Sequence, residues 1–412
     1  MLEIMSLSAP GARRIALACL AGAVLAAPAA VAQADDCAVE PSAVARATEE
    51  ARARVAAFID AVDARIANGD RYGFSIAASL CGETVWREGF GYADLEHRVA
   101  VTPATKFRIG SVSKTLTAAA LGRLMDQGEI DLDAEVQAYV PDFPRKTHPV
   151  TLRQLGGHLG GIRHYEGEEF LSAVHYDTVR AGLDIFENDP LVNEPGTAYH
   201  YSTYGYNLLS AAIEGAAGED FLPFMQRAVF DAAGMADTTA DMNAKIIPNR
   251  TDFYHYDQEA GEIINAPAVD NSNKWAGGGF LSTPSDLLKF VHAMFDDGLV
   301  SGETLTVLTT SQHTRDGEAT NYGIGWRVDM TENQLGVVTQ IYGEEVAADL
   351  RDLLDGAPIL GHGGSSVGGL TVLFLIPDAP GRVAIAATSN NSAIVPGFAL
   401  PAAAAFVEAA RQ

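Results

Sequence analysis

FRIGSVSKTLTAAALGRLMDQG, residues 107–128, holds the only Ser-x-x-Lys of the chain, Ser111-Val112-Ser113-Lys114. Its pattern predicts a helix that begins near Ser111, runs through Leu121 to Met125 and stops at Gln127-Gly128. On a helix, residues three apart share a face, so Lys114 Nζ can reach Ser111 Oγ. A helix start also exposes Ser111 to the positive end of the dipole, which favours a developing alkoxide. A serine hydroxyl is a weak nucleophile and needs such a neighbour. Taken alone, the motif equally fits an exposed helix start with a capping serine and a solvated lysine.

Two further motifs lie downstream. Tyr201-Ser202-Thr203 sits in HYSTYGYNLLSAAIE after Pro195-Gly196. A phenol beside an ammonium loses its proton more easily and can relay protons to a leaving group. In isolation it also reads as a packed aromatic at a helix start. His362-Gly363-Gly364-Ser365 lies between expected turns and a strand over 370–376. Glycines there let a substrate backbone approach closely, and a backbone N–H paired with that of Ser111 makes an oxyanion hole. The plain alternative is a Gly-rich turn. Gly364-Ser365-Ser366-Val367-Gly368 matches G-x-S-x-G, but that elbow needs a following helix and a later histidine. An apolar β-branched run follows instead, and no histidine comes after His362. His158 and His164 lack the H-E-x-x-H spacing, and no other cluster has ligand spacing, so no metal is expected. There is no P-loop or Rossmann glycine fingerprint, and no cofactor is expected.

Outward from these motifs, residues 41–68 read as an amphipathic helix stopped by Gly69. Strands are expected at 72–80 and 83–91, a hairpin about Cys81-Gly82. The middle, about 115–315, reads as helix and loop punctuated by Pro and Gly. Strands are expected again at 321–328, 336–342, 370–376 and 382–387, then a helix over 399–410. Strands at both ends of a chain usually share one sheet with the middle as an insertion. The expected class is α+β, an α/β sandwich. An antiparallel sheet flanked by helices (about 41–110 and 316–412) carries a mostly helical subdomain (about 111–315).

Of 412 residues 48% are hydrophobic and 20% charged, an ordinary globular balance. The net charge of −25 repels phosphate backbones and anionic lipid surfaces, so nucleic acid is an improbable partner. Arg13-Arg14, a small-residue apolar run over 15–32 and two A-x-A sites ending at Ala32 and Ala34 read as a signal peptide over 1–34. A membrane anchor is the alternative, weakened by the Ala, Gly and Pro28 content of the run. The remainder, 35–412, is expected in the periplasm or secreted, with no stable membrane insertion. Cys19 falls in the signal; Cys37 and Cys81 remain, as a disulfide or as two thiols.

The order Ser-x-x-Lys, Tyr-x-x, His-Gly-Gly resembles the serine beta-lactamase and penicillin-binding superfamily, in its class C beta-lactamase and DD-peptidase branch. FRIGSVSKTLTAAALGRLMDQGEIDLDAEVQAYVPDFP, TLRQLGGHLGGI and PGTAYHYSTYGYNLLSAAIE carry the likeness, which spans roughly 45–410. IRHYE, ENDPL, YSTYGY and VDNSNKWAGGGFLSTPSDLLKF are similar to the mitochondrial serine beta-lactamase-like peptidases. The resemblance implies that Ser111 is acylated, that Lys114 is its base or activator, and that Tyr201 shuttles the leaving-group proton. It implies an oxyanion hole of the Ser111 and Ser365 N–H groups, with His362 replacing the lysine of a K-T-G strand completed by Gly363 and Gly364. Thr203 stands where an asparagine is usual, and Gly160 where the H-x-S-G loop usually has serine. A hydroxyl cannot do all that an amide does, and a histidine is mostly neutral at pH 7. Both changes point away from efficient beta-lactam hydrolysis. The expected function is an exported serine hydrolase acting on a peptide or small acyl substrate, a peptidase before an esterase or weak beta-lactamase. A catalytically silent peptide- or cell-wall-binding protein is the rival from another class; oligomeric state stays open.

Overall fold

The computed structural model describes residues 39–64, 66, 69–392 and 396–412. The expected signal segment, 1–34, and Cys37 lie outside them. Cys81 is disulfide-bonded, and both other cysteines lie outside the described residues.

Helix α1 (Pro41–Asp63) opens with proline at its first turn and buries Ala43, Ala47, Ala51, Val55, Phe58, Ile59 and Val62 along one stripe. It ends before the expected Gly69. Strands β1 (Phe74–Leu80) and β2 (Glu83–Phe90) form the expected hairpin. Helix α2 (Ser113–Gln127) follows a 3-10 turn, Gly110–Val112, and stops at left-handed Gly128. Helix α3 (Thr203–Ala217) starts two residues after Tyr201, capped by Ser202 Oγ accepting from Gly205 N–H. Near the end come α4 (Thr331–Tyr342), β3 (Leu360–Ser366), β4 (Gly369–Ile376), β5 (Val383–Ser389) and α5 (Ala399–Ala410).

The sheet runs β3-β4-β5-β1-β2, antiparallel throughout, so strands from the two ends of the chain meet at the β5–β1 pair. β1, β4 and β5 are buried on both faces, which explains why β4 and β5 read as unbroken apolar runs. Phe74, Ile76, Val372, Phe374, Ile376, Ile385 and Ala387 join the core built with α1, α4 and α5. Ala77, Leu373, Leu375, Ala384 and Ala386 belong to the core built with the helices of the middle segment, including α2 and α3. Phe58, Phe74 and Phe398 meet edge-on at 5.2 to 6.1 Å and tie α1, β1 and the start of α5 together.

Two expected strands are corrected. Residues 336–342 lie in α4, because Leu335 and Val338, three apart, both face the core; tertiary packing overrides the β-branched composition. Residues 321–328 form a loop with isolated bridges at Tyr322–Arg327 and Arg327–Gly361. Gly323 and Gly325 let it run against Leu308 and Lys114 backbone, where any Cβ would collide. Conversely β3, with three glycines in seven residues, reads weakly as a strand and is one. A short hairpin, Tyr254–Asp257 with Glu262–Asn265, was not expected either.

A buried ion pair holds the β3–β4 turn to the segment before the nucleophile. Arg108 Nε donates to Asp241 Oδ2 at 2.7 Å, and Arg108 Nη1 donates to Val367 O at 2.8 Å. Both side chains are sealed from solvent. Removing one partner strands a buried charge. We predict that Asp241→Ala costs about 3–5 kcal/mol in urea unfolding; a loss under about 1 kcal/mol would show that Arg108 re-solvates freely.

Candidate active site

Four segments converge on Ser111. The first is the 3-10 turn itself. Lys114, one turn on, is fully buried. Its Nζ lies 3.3 Å from Ser111 Oγ, 3.1 Å from Thr203 Oγ1 and 2.6 Å from Gly277 O. Burial holds the amine well below the usual lysine value, and Arg327 adds to the effect. A neutral amine has two N–H donors and one lone pair. Gly277 O can only accept and Thr203 Oγ1 accepts readily, so the lone pair is left for the Ser111 O–H.

The second segment carries Tyr201, hydrogen-bonded to Ser111. Burial pushes the phenol above its usual value, the bond to Ser111 working the other way. This differs from the expectation that a neighbouring ammonium would ease its ionisation. The reason is physical: taking the phenolate out of water costs more than the Ser111 hydrogen bond and Arg327 return. Tyr201 therefore stays protonated near pH 7. Thr203 Oγ1 accepts from Lys114 and is also hydrogen-bonded to Tyr165.

The third segment is HLGGIRHY, set aside above for lacking metal spacing. Its two histidines accept from consecutive backbone N–H groups at the start of α3. Ser202 N donates to His158 Nδ1 at 3.1 Å, and Thr203 N donates to His164 Nδ1 at 3.2 Å. These are among the N–H groups a helix start leaves unpaired. Ser202 Oγ donates to Arg163 O at 2.6 Å. Arg163 is itself held by Glu169 and Asp189. The His158 ring packs 4.3 Å from the Tyr201 ring, so the loop clamps the tyrosine from backbone and side chain together. Burial first, then Coulombic repulsion led by Lys114, keeps His158 well below the usual imidazole value.

The fourth segment is β3, the sheet edge. Val367-Gly368 closes a two-residue hairpin in which Ser366 pairs with Gly369. Pair alternation then turns the N–H and C=O of Gly361, Gly363 and Ser365 to the free edge. Gly361 obeys this, bonding both groups to the Arg327 backbone at 3.0 and 2.8 Å. Ser365 lies against Gly110, where an added Cβ would sit 2.6 Å from Ser365 N. Gly364 is pressed on the other side, where a Cβ would overlap Ile109 O. The backbone about Gly364 and Ser365 thus lies close against the Ile109–Ser111 turn, with a Gly364 Cβ also 3.3 Å from Ser111 N. Because a strand rather than a helix follows Gly368, the G-x-S-x-G elbow stays excluded.

His362 is buried on β3. Its Nδ1 lies 2.5 Å from Gly363 O and its Nε2 3.0 Å from Tyr322 Oη. A carbonyl only accepts, so Nδ1 carries the proton and Nε2 accepts from the Tyr322 hydroxyl. Burial, then Arg327 and Lys114, presses this imidazole well below its ordinary value, so it is neutral. The sequence reading missed Tyr165, Tyr322, Gly277 and Arg327. Arg327 is exposed beside His362; among the described residues its guanidinium makes no ion pair, only a 6.0 Å approach to the Tyr322 ring.

The fold and this constellation are those expected of a penicillin-recognising type of serine hydrolase. The family model for Beta-lactamase matches residues 58–407, and the chain belongs to that family. It is 37% identical over 292 residues to the serine beta-lactamase-like protein LACTB, mitochondrial, of Homo sapiens, covering 54% of this chain and 53% of that protein. It is 28% identical over 278 residues to a D-aminopeptidase of Gluconobacter oxydans, covering 66% and 51%. The octameric penicillin-binding protein homologue from Pyrococcus abyssi superposes with a TM-score of 0.67 at 25% identity, covering 85% of this chain and 76% of that one. The chain spans about half the length of the curated relatives it matches.

Gly364→Ala must displace either β3 or the Ile109–Ser111 turn. We predict that it lowers acylation by about 10²-fold, the scale of one lost oxyanion donor, with the far-ultraviolet spectrum unchanged. Wild-type rates in Gly364→Ala would show that the oxyanion does not bind between these segments.

Proposed function

We propose that this protein is an exported serine hydrolase that cleaves peptide or amide bonds, and esters less selectively, through an acyl-enzyme on Ser111. The observation that carries the reading is the fully buried Lys114 amine, 3.3 Å from Ser111 Oγ, with Thr203 Oγ1 and Gly277 O as its other partners. As Oγ attacks the carbonyl carbon, its proton passes to Lys114 Nζ. The oxyanion lies between the Ser111 and Ser365 N–H groups, since donors already in place act strongly on developing charge. Tyr201, protonated, gives its proton to the leaving nitrogen or oxygen and regains one from Lys114. Water then attacks the ester, passes its proton back through the same pair, and Ser111 is released.

The loss of a lysine on β3 does not leave the site without positive charge. Arg327 flanks neutral His362 and offers a planar fork suited to a carboxylate. A substrate with an anionic group near the scissile bond fits this arrangement. The likeness to a D-aminopeptidase supports amide over ester chemistry. Export is supported by the signal-like residues 1–34, with 35–412 as the hydrolase domain, and by the bonded state of Cys81, since disulfides persist in oxidising compartments. A periplasmic or secreted location follows.

Treatment with a fluorophosphonate should give one adduct, on the Ser111 peptide, absent in Ser111→Ala. Lys114→Met should slow labelling by about 10³-fold or more. The rate should rise with pH as Lys114 loses its proton, at a midpoint well below the free lysine value of about 10.4. An adduct on Ser365 or Ser366, or a midpoint near 10.4, would sink the mechanism. Arg327→Gln should raise the KM for a carboxylate-bearing peptide about tenfold relative to its carboxamide, as expected for one lost charge-assisted contact; equal effects on both would remove Arg327 from recognition.

A further inference from the structure

His164 has no part in the proton transfers above, yet its chemistry is fully defined. Because Nδ1 accepts the Thr203 N–H, a neutral ring must carry its proton on Nε2. Burial, then Lys114 and His200, brings this imidazole down to about 4, with Glu169 opposing. The ring is therefore neutral wherever Lys114 can act as a base. It stands edge-on to Tyr201 with centroids 5.6 Å apart and packs on Tyr165 at 4.4 Å, so it is held in place. The residue is only half-buried, and among the described residues Nε2 has no hydrogen-bond partner.

The neighbouring polar groups are already engaged. Thr203 Oγ1 serves Lys114 and Tyr165. Both nitrogens of His362 are bonded. Tyr201 is bonded to Ser111. His158 is sealed in the core. Among the described residues, the side-chain donors left for a substrate include the Arg327 guanidinium, the exposed Ser365 hydroxyl and the His164 Nε2–H. A charged fork favours a carboxylate, whereas a neutral N–H in a partly desolvated site pairs best with a neutral carbonyl.

We propose that His164 is a recognition residue whose Nε2–H takes the carbonyl oxygen of an amide flanking the scissile bond, selecting N-acylated amino-acid and peptide substrates over plain acyl compounds. The proposal rests on the acyl-enzyme reading of Ser111. Once bound, that amide would be aligned beside Tyr201 and the acyl carbon beside Ser111.

The two nitrogens can be tested apart. Asparagine mimics Nδ1 and keeps the bond to Thr203 N–H; glutamine mimics Nε2 and keeps the donor. The test compares kcat/KM for an N-acetyl-aminoacyl thioester with that for a plain alkanoyl thioester of equal length. In His164→Asn the preference for the N-acetyl compound should fall about tenfold, mostly through KM, the scale of one neutral hydrogen bond. In His164→Gln most of that preference should return. A preference retained in His164→Asn overturns the proposal. So does an equal fall on both substrates in His164→Asn with no rescue of preference by His164→Gln, which marks a purely positioning role. If the unsubstituted protein acylates Ser111 with neither thioester nor a fluorophosphonate, the hydrolase reading itself falls, and this inference with it.

Discussion

A single buried amine organises this site. Lys114 arises from the first turn of α2 and is fully buried, and its acceptors come from α3 and from the glycine segment at 277. A buried lysine without carboxylate partners is destabilised in its charged form. Here that cost presses the amine towards its neutral form, which the proposed base role of Lys114 requires. The surroundings are built to tolerate it. Gly277 must lack a side chain, since a Cβ would overlap Thr203 Cγ2, and Gly325 must too, since a Cβ would meet the Lys114 carbonyl at 2.6 Å. Each glycine is thus a condition for the amine's position, not a flexible joint.

The second constraint is where the two ends of the chain meet. β3 contributes to the site through its free edge, and that edge is available because the sheet ends there. The β5–β1 pairing sets the sheet, the two-residue turn sets the register of β3, and the register decides which N–H groups face Ser111. The Arg108–Asp241 pair then clamps the turn from below. A shift of one residue in β3 would turn Ser365 inward and present Gly364 instead, because neighbouring residues in a strand point their backbone groups oppositely.

Much of this was legible in the sequence, for identifiable reasons. Ser111, Lys114 and the Gly128 stop follow from helical spacing; α1 and α5 follow from their apolar stripes; β1, β2, β4 and β5 from apolar runs between turns. What failed was where context outweighs local preference. Leu335 and Val338 draw a β-branched stretch into a helix, and Gly323 and Gly325 turn an apparent strand into a loop against α2. His158 and His164 were noticed but left without a role, because no spacing rule signals that a ring nitrogen will accept from a helix's first N–H groups. Arg327 carries no motif at all. Only the β3 edge, which pairs its backbone, brings it beside His362.

That placement bears on how the site handles charge. With a lysine on β3, the cation would stand on the strand proposed to bind the oxyanion, its position set by the strand register. With His362 the strand position becomes neutral, committed to Gly363 O on one side and Tyr322 on the other. The positive charge moves to an exposed side chain on the loop that pairs with the strand. A longer, planar and mobile cation reaches a wider range of anionic groups than a fixed ammonium, at the cost of ordering its own rotamers when it binds. The neutral strand also spares Lys114 a close cationic neighbour. Arg327, further out and in solvent, is screened, and the base can be pressed towards neutrality mainly by burial. Under the proposed function, a histidine in place of a strand lysine would separate two tasks, anchoring an anion and tuning a base, that a strand lysine would couple.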